Sequence, residues 1–252
     1  MGADPAWPEG HDRIVLETVD STLNEAQRRF AGGINRPTWI LALAQTAARG
    51  RRGRPWSMPP GNFAATLILP TTERPDRIAL RSFTTSLALF DACVGATGRT
   101  EGLALKWPND VLLNGGKLAG ILLETLQSGG RTAGAAIGIG VNLASAPEVS
   151  EVEERALRPV ALTGMGASPP PEDFLELLAQ AFDRYETQFR HYGFAPIRTA
   201  WLDRAAHLGE VITARTGMSE TTGRFETIDE TGQLVLSTDG SRRTIAAADI
   251  YF

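Results

Sequence analysis

Between Arg49 and Arg54 the chain reads RGRRGR, four arginines and two glycines in consecutive positions. Glycines free the backbone so that successive N–H groups can curl around an anion, and guanidinium groups add fixed charge and forked donors. Such a loop suits a nucleotide phosphate or a carboxylate; the competing reading is a solvated basic turn or an RNA contact, because charge runs are usually surface. Trp56, just beyond, offers a flat face to an adenine ring or closes the loop as core. Lys106-Trp107-Pro108-Asn109-Asp110 sets a cation and two oxygen-bearing side chains around a rigid corner. Asn109 and Asp110 have the oxygen chemistry of a Mg2+ site shared with substrate phosphates, and equally that of an ordinary turn. Lys117 follows a tight Asn114-Gly115-Gly116 turn. Period-two alternation aligns it with Ala119, Ile121 and Leu123, a cation heading an otherwise apolar strand face. Gly138 and Gly140 share one face of a later strand, which leaves either a flat floor for a ligand or a bend. Neither a P-loop nor a dinucleotide fingerprint is present.

The elements that must position these residues follow from hydrophobic periodicity. Arg13 to Glu17 predicts a strand, and Asp20-Ser21-Thr22 opens a helix to about Phe30, with Thr22 and Glu25 at capping-box spacing. Trp39 to Ala44 and Asn62 to Leu69 are strands that enter and leave the arginine loop. Ile78 to Thr97 is a long apolar helix holding Cys93 as a core residue. Strands are predicted at Leu103 to Leu105, Val111 to Leu113 and Lys117 to Glu124, the last two joined as a hairpin, and again at Ala135 to Leu143. Pro169-Pro170-Pro171 announces a helix to about Phe189, and Pro196 to Ala205 a shorter one. Short strands at Glu210 to Thr213, Thr222 to Glu226, Leu234 to Leu236 and Thr244 to Ile245 read as a small separate barrel beginning near His207.

Composition sets the outer limits. The 252 residues are 42% hydrophobic and 21% charged, ordinary for a globular chain of one or two domains. A net charge of -4 makes the arginine cluster a local device and argues against nucleic acid as a partner. A single cysteine excludes an internal disulfide and fits a reducing, cytoplasmic setting. No signal peptide and no membrane-spanning apolar run are read from the sequence.

In order and together, these motifs resemble the biotin protein ligase family over nearly the whole chain: Asp20-Ser21-Thr22, Gln45 through Arg54 with Trp56, Lys106 to Asp110, Lys117 to Glu124, Gly138 to Asn142, and the C-terminal barrel with Ile228, Asp229 and Gly232. The resemblance implies an α+β fold, a class II synthetase-like mixed sheet flanked by helices over residues 1–206 and an SH3-like β-barrel over 207–252. It implies ATP, Mg2+ and biotin as reactants, with biotinyl-5′-AMP formed first and the biotinyl group then passed to a lysine of a biotin carboxyl carrier domain. Lys117 takes the place of the catalytic lysine bridging carboxylate and phosphate, with Arg49 and Arg51 beside it. Ser21, Thr22, Gln45, Gly120, Gly138 and Gly140 fall at biotin-binding positions. Arg54, Trp56, Asn109 and Asn142 fall at ATP positions, and Asp110 at that of a metal carried by ATP. Two residues depart from the family pattern: Leu23 where asparagine is common, and Ala48 where the loop usually has glycine. The lead-in before the first strand is too short for a winged helix-turn-helix, so no operator binding is expected. Association with a second copy is left open.

Two rivals share parts of this chemistry. A lipoate ligase uses the same adenylate strategy, and octanoyl transfer through a thiol needs a reactive cysteine, for which Cys93 has no base or cationic neighbour in sequence. A non-catalytic anion-binding module explains the arginines but not Lys117.

Overall fold

Alternation along the strands decides how the layers assemble. In β2 (Thr38–Gln45) Trp39 and Leu41 join one buried cluster and Ile40 another, so the two faces of one sheet are covered by different elements. The computed structural model describes residues 7–148, 157–217 and 219–251. Its larger sheet has seven strands in the order β1-β2-β3-β7-β6-β5-β4, formed by β1 (Asp12–Val19), β2, β3 (Phe63–Pro70), β4 (Leu103–Lys106), β5 (Asp110–Leu113), β6 (Gly116–Ser128) and β7 (Arg131–Val141). Only the β1–β2 pair is parallel.

On one face lie α3 (Arg81–Thr97), α4 (Pro171–Tyr192) and α5 (Phe194–Leu202), with the short α2 (Pro75–Ala79) leading into α3. The single helix predicted from Ile78 thus begins earlier and steps at Leu80, where the Phe83 N–H bonds the Leu80 carbonyl. Edge-to-face contacts of Trp39 with Phe182 (5.8 Å) and Phe63 with Phe174 (5.2 Å) fasten α4 to the sheet, each adding about 0.5–1.5 kcal/mol beyond area burial. Residues 75–97 are long and apolar enough to cross a membrane, contrary to the sequence reading, but the apolar window is 72% buried in the protein as a core helix.

The other face is covered by one helix, α1 (Thr22–Ala31), through Leu23 and Ala26 against Ile40, Ile68, Leu126 and Ala136. This short helix leaves the end of the sheet bearing Gly120, Gly138 and Gly140 open to the cavity described below.

The chain ends in a five-stranded antiparallel sheet of SH3-like type, ordered β11-β10-β9-β8-β12: β8 (Val211–Thr216), β9 (Ser219–Ile228), β10 (Leu234–Thr238), β11 (Ser241–Ile245) and β12 (Asp249–Tyr251). Four of these strands are legible in sequence; β12, three residues long, is too short to show a period. The small sheet is anchored where the Trp107 indole N–H donates to the Gly232 carbonyl at 2.9 Å and Arg198 Nη2 donates to Thr227 Oγ1 at 3.0 Å.

Candidate active site

The cavity opens on the α1 face and has a volume of about 320 Å³. Its floor is bare backbone, because Gly120 pairs with Gly140 across β6 and β7 and Gly138 lies next on the same face. Two side chains rest on that floor: a Cβ added at Gly138 would fall 2.8 Å from Leu23 Cγ, and one at Gly140 would fall 2.6 Å from the Trp56 ring. The glycines are therefore sites of close approach within regular strand, not a bend.

At the start of α1 the Thr22 N–H donates to Gln45 Oε1 at 2.7 Å, the Thr22 hydroxyl donates to the same oxygen at 3.2 Å, and Thr66 Oγ1 donates to Thr22 Oγ1 at 2.9 Å. Ser21 is the N-cap and makes no side-chain cap bond. The capping box read from Thr22 and Glu25 is not formed. Thr22 is already inside the helix, and Glu25 is drawn outward into ion pairs with Arg28 and Arg29. With its cap bond unmade, Ser21 lines the cavity at a helix N-terminus, where the dipole favours acceptors, beside Thr22, whose N–H and hydroxyl are held by Gln45.

The arginine loop folds over this floor as a 3-10 turn, Arg51–Gly53, with Arg52 at φ 57 and Gly53 at φ 73. Glycine enters that left-handed region freely, whereas an arginine there is strained and must be held by its surroundings. Backbone bonds from Gly50 N to Arg54 O (2.7 Å) and Trp56 N to Ala48 O (3.0 Å) close the loop on itself. Arg49 is bidentate on Glu124 of β6, and these hydrogen bonds raise its pKa further. Arg51 Nη1 donates to Asn109 Oδ1 at 3.2 Å; burial lowers its pKa, opposed by Asp249 and Asp110. Arg52 and Arg54 reach Asp249 of β12, at 2.6 and 3.4 Å.

Lys117 corrects one detail of the sequence reading. A β-bulge between Val111 and Leu112 of β5 sets Leu118 of β6 as an extra residue, so Leu112 faces Lys117 while Val111 faces Ala119. The period-two count thus slips by one. Ala119 and Ile121 face the helical core, whereas Lys117 Nζ swings to the cavity, 2.8 Å from Asp110 Oδ1 and 5.8 Å from the Trp56 ring centroid. Asn109, at the corner that holds the cis Trp107–Pro108 bond, donates from Nδ2 to the Ile121 carbonyl. Asn142 donates from Nδ2 to the Val160 carbonyl at 3.0 Å and leaves its buried Oδ1 without a partner among the described residues, an acceptor available to a ligand.

All fourteen residues assigned to biotin, ATP or metal in the sequence line this one cavity. Lys106, Glu124 and Asp249 were not among them. Lys106 also lines the cavity, and burial lowers its pKa with Lys117 and Arg51 adding repulsion against the pull of Asp110 and Asp249. A lysine ending a strand in register with Asp110 was the available signal. Asp249 had none, because its strand was not legible. Among the described residues no group of three or more His, Cys, Asp and Glu side chains is placed to hold a metal ion. Asp110 lines the cavity with the kind of carboxylate oxygen that Mg2+ takes when it arrives with substrate phosphates. Cys93 is fully buried in α3, its thiol pushed up to about 12 by burial, which leaves no thiolate for acyl transfer.

A mixed sheet with a glycine floor beneath an arginine loop, joined to an SH3-like sheet, gathers its cations around a single cavity, and comparison with known proteins places this arrangement among ligases. The chain belongs to the biotin/lipoate A/B protein ligase family, whose model matches residues 15–142, and residues 207–252 match the biotin protein ligase C terminal domain. A biotin–[acetyl-CoA-carboxylase] ligase of Paracoccus denitrificans is 52% identical over 94% of this chain and 99% of its own length. The bifunctional ligase/repressor BirA of Bacillus subtilis is 30% identical over 96% of this chain and 74% of its own. A biotin protein ligase from Aquifex aeolicus, solved in complex with biotin and ATP, superposes with a TM-score of 0.80 at 23% identity, covering 95% of this chain and 98% of that one. At that identity the likeness speaks for the fold.

Proposed function

We propose that this chain is a biotin–[acetyl-CoA-carboxylase] ligase that makes biotinyl-5′-AMP from biotin and ATP and passes the biotinyl group to a lysine of a biotin carboxyl carrier domain. The convergence of Lys117, Arg51 and Lys106 on a cavity floored by three glycines carries the reading, and the Paracoccus denitrificans relative supports biotin as the acyl group over lipoate. In the first step a biotin carboxylate oxygen bonds to the α-phosphorus of ATP and pyrophosphate leaves. Negative charge builds on the α-phosphate oxygens, so cations held by the fold stabilise the transition state more than the ground state. Lys117 bridges carboxylate and phosphate; Arg49 and Arg51 cover the adenylate. In the second step the carrier lysine amine attacks the acyl carbon, AMP leaves with the bonding electrons, and an amide forms.

Ser21, Thr22 and Gln45 fit the ureido ring, whose N–H and C=O groups match their mixed donors and acceptors, and Gly120, Gly138 and Gly140 give the bicycle a flat bed. Arg54, Trp56, Asn109 and Asn142 fit the nucleotide. Asp110 would be the protein carboxylate for a Mg2+ ion, which would supply charge neutralisation of the ATP phosphates. Residues 1–206 form the catalytic domain and 207–252 the SH3-like domain.

Biotin-dependent exchange of labelled pyrophosphate into ATP tests the reading, with lipoate as the competitor and Lys117→Ala as the variant. Expected are exchange with biotin and a loss of at least about a hundredfold in the variant, the scale for one preorganised donor. Exchange with lipoate alone, or none with either, overturns it.

A further inference from the structure

Thr66 puts a hydroxyl into an apolar layer. It lies on β3 opposite Ile40 of β2 and Gly138 of β7, on the face it shares with Ala64 and Ile68, and it is fully buried. A hydroxyl buried there is costly unless paired, and its partner is Thr22 Oγ1 at 2.9 Å. Thr22 lines the cavity, and Thr66 stands behind it. The direction of the bonds is forced from the far end. The Thr22 N–H, a first-turn amide without a partner inside its helix, can only donate, so the Gln45 atom 2.7 Å away is the carbonyl oxygen Oε1. The Thr22 hydroxyl lies 3.2 Å from that same oxygen and must donate to it as well. With that proton spent, Thr22 Oγ1 accepts from Thr66 with one lone pair and keeps a second.

We propose that Thr66 is a positioning residue for the acyl substrate: its hydroxyl commits the Thr22 proton to Gln45 and so presents Thr22 Oγ1 to the cavity as an acceptor for a ring N–H. A cyclic urea such as that of biotin brings N–H groups to this acceptor, whereas a dithiolane ring brings none, so the relay favours the urea. Without the Thr66 hydroxyl the Thr22 proton can turn away from Gln45, and both the acceptor and the Gln45 amide lose their fixed orientation. The part of the inference that concerns biotin rests on the ligase reading; the part that concerns the relay does not.

Two substitutions separate the hydroxyl from the packing. Thr66→Val keeps the β-branched shape that suits the strand and removes the donor, whereas Thr66→Ser keeps the donor and gives up a methyl group. Thermal midpoints confirm that both variants fold. In biotin-dependent pyrophosphate exchange the KM for biotin is expected to rise about fivefold in Thr66→Val, the scale of one net hydrogen bond, and to stay within about twofold in Thr66→Ser, with the KM for ATP within about twofold in both. Without ligand, hydrogen exchange at the Thr22 amide, which Gln45 Oε1 holds, is expected to quicken about threefold in Thr66→Val and to stay unchanged in Thr66→Ser. An unchanged KM for biotin in Thr66→Val, an equal rise in Thr66→Ser, or an equal rise in the KM for ATP overturns the positioning role. Absence of biotin-dependent exchange in the unaltered protein overturns the ligase reading instead, and the Thr22 amide still decides the relay: equal exchange in all three proteins overturns it.

Discussion

Trp56 lies against the bare Cα of Gly140, so closely that a methyl group there would fall 2.6 Å from the indole Cε2 and 2.7 Å from Nε1. No real Cβ tolerates that approach, and the neighbouring atoms belong to a rigid ring rather than a flexible tip. Gly140→Ala therefore forces the indole off the floor and away from Lys117, with overpacking costing about 1–3 kcal/mol. The expected result is a rise of about tenfold in the KM for ATP, together with a red shift of tryptophan emission as the ring gains solvent. An unchanged KM with unchanged emission would show that the loop carries Trp56 elsewhere in the working enzyme.

Leu23 occupies the neighbouring depression, over Gly138, where a Cβ would meet Leu23 Cγ at 2.8 Å. It belongs to the small apolar cluster under α1 and is 4% exposed. Leu23→Asn keeps the branched shape of the side chain over the floor but replaces its two methyl groups with an amide beside Thr22. Stability is expected to fall by about 2 kcal/mol because a polar amide is buried in an apolar cluster, while biotin binds about fivefold more tightly by calorimetry. Equal affinity in both proteins would mean that residue 23 packs the helix without facing biotin.

Hydrophobic periodicity exposed the large sheet and the flanking helices, whereas the fourteen cavity residues came together as a set only through the resemblance of their motifs to the biotin protein ligase family. Three things escaped the sequence reading, each for a physical reason. The face on which Lys117 lies depends on a bulge opposite Leu112, a pairing between strands that no count along one strand reveals. Thr22 and Glu25 have cap spacing, but arginines a turn later compete for Glu25 and win. Asp249 pairs with Arg52 across 197 positions of sequence, from a strand of three residues.

Cys93 separates ligation from thiol-based acyl transfer. Its thiol is buried in α3 with a pKa of about 12, and folding excludes reagent as well as deprotonation. The native protein is expected to resist iodoacetamide at pH 8, and Cys93→Ala to keep biotin-dependent pyrophosphate exchange within about twofold while losing roughly 1 kcal/mol of stability to the small cavity. Loss of activity in a variant that remains folded would reopen the thiol route.

Lys106 makes a prediction about pH. Burial lowers its pKa, and Lys117 and Arg51 lower it further against the opposing pull of Asp110 and Asp249. The sign follows directly: the ammonium form binds phosphate, it is fully present below the lowered pKa, and it is lost as pH rises through that value. The KM for ATP is therefore expected to climb toward alkaline pH, earlier than an ordinary lysine would allow. Lys106→Arg, whose charge does not titrate in this range, should flatten the profile at low KM, and Lys106→Met should raise KM below the inflection, converge with the unaltered protein above it and so remove the inflection. Bound ATP brings negative charge beside the ammonium group and raises its pKa, so binding on the alkaline side takes up a proton. Calorimetry of ATP binding in buffers of different ionisation enthalpy measures that uptake, which should disappear in Lys106→Met. A pH profile and a proton uptake that both survive the substitution would transfer the effect to another group in the cavity.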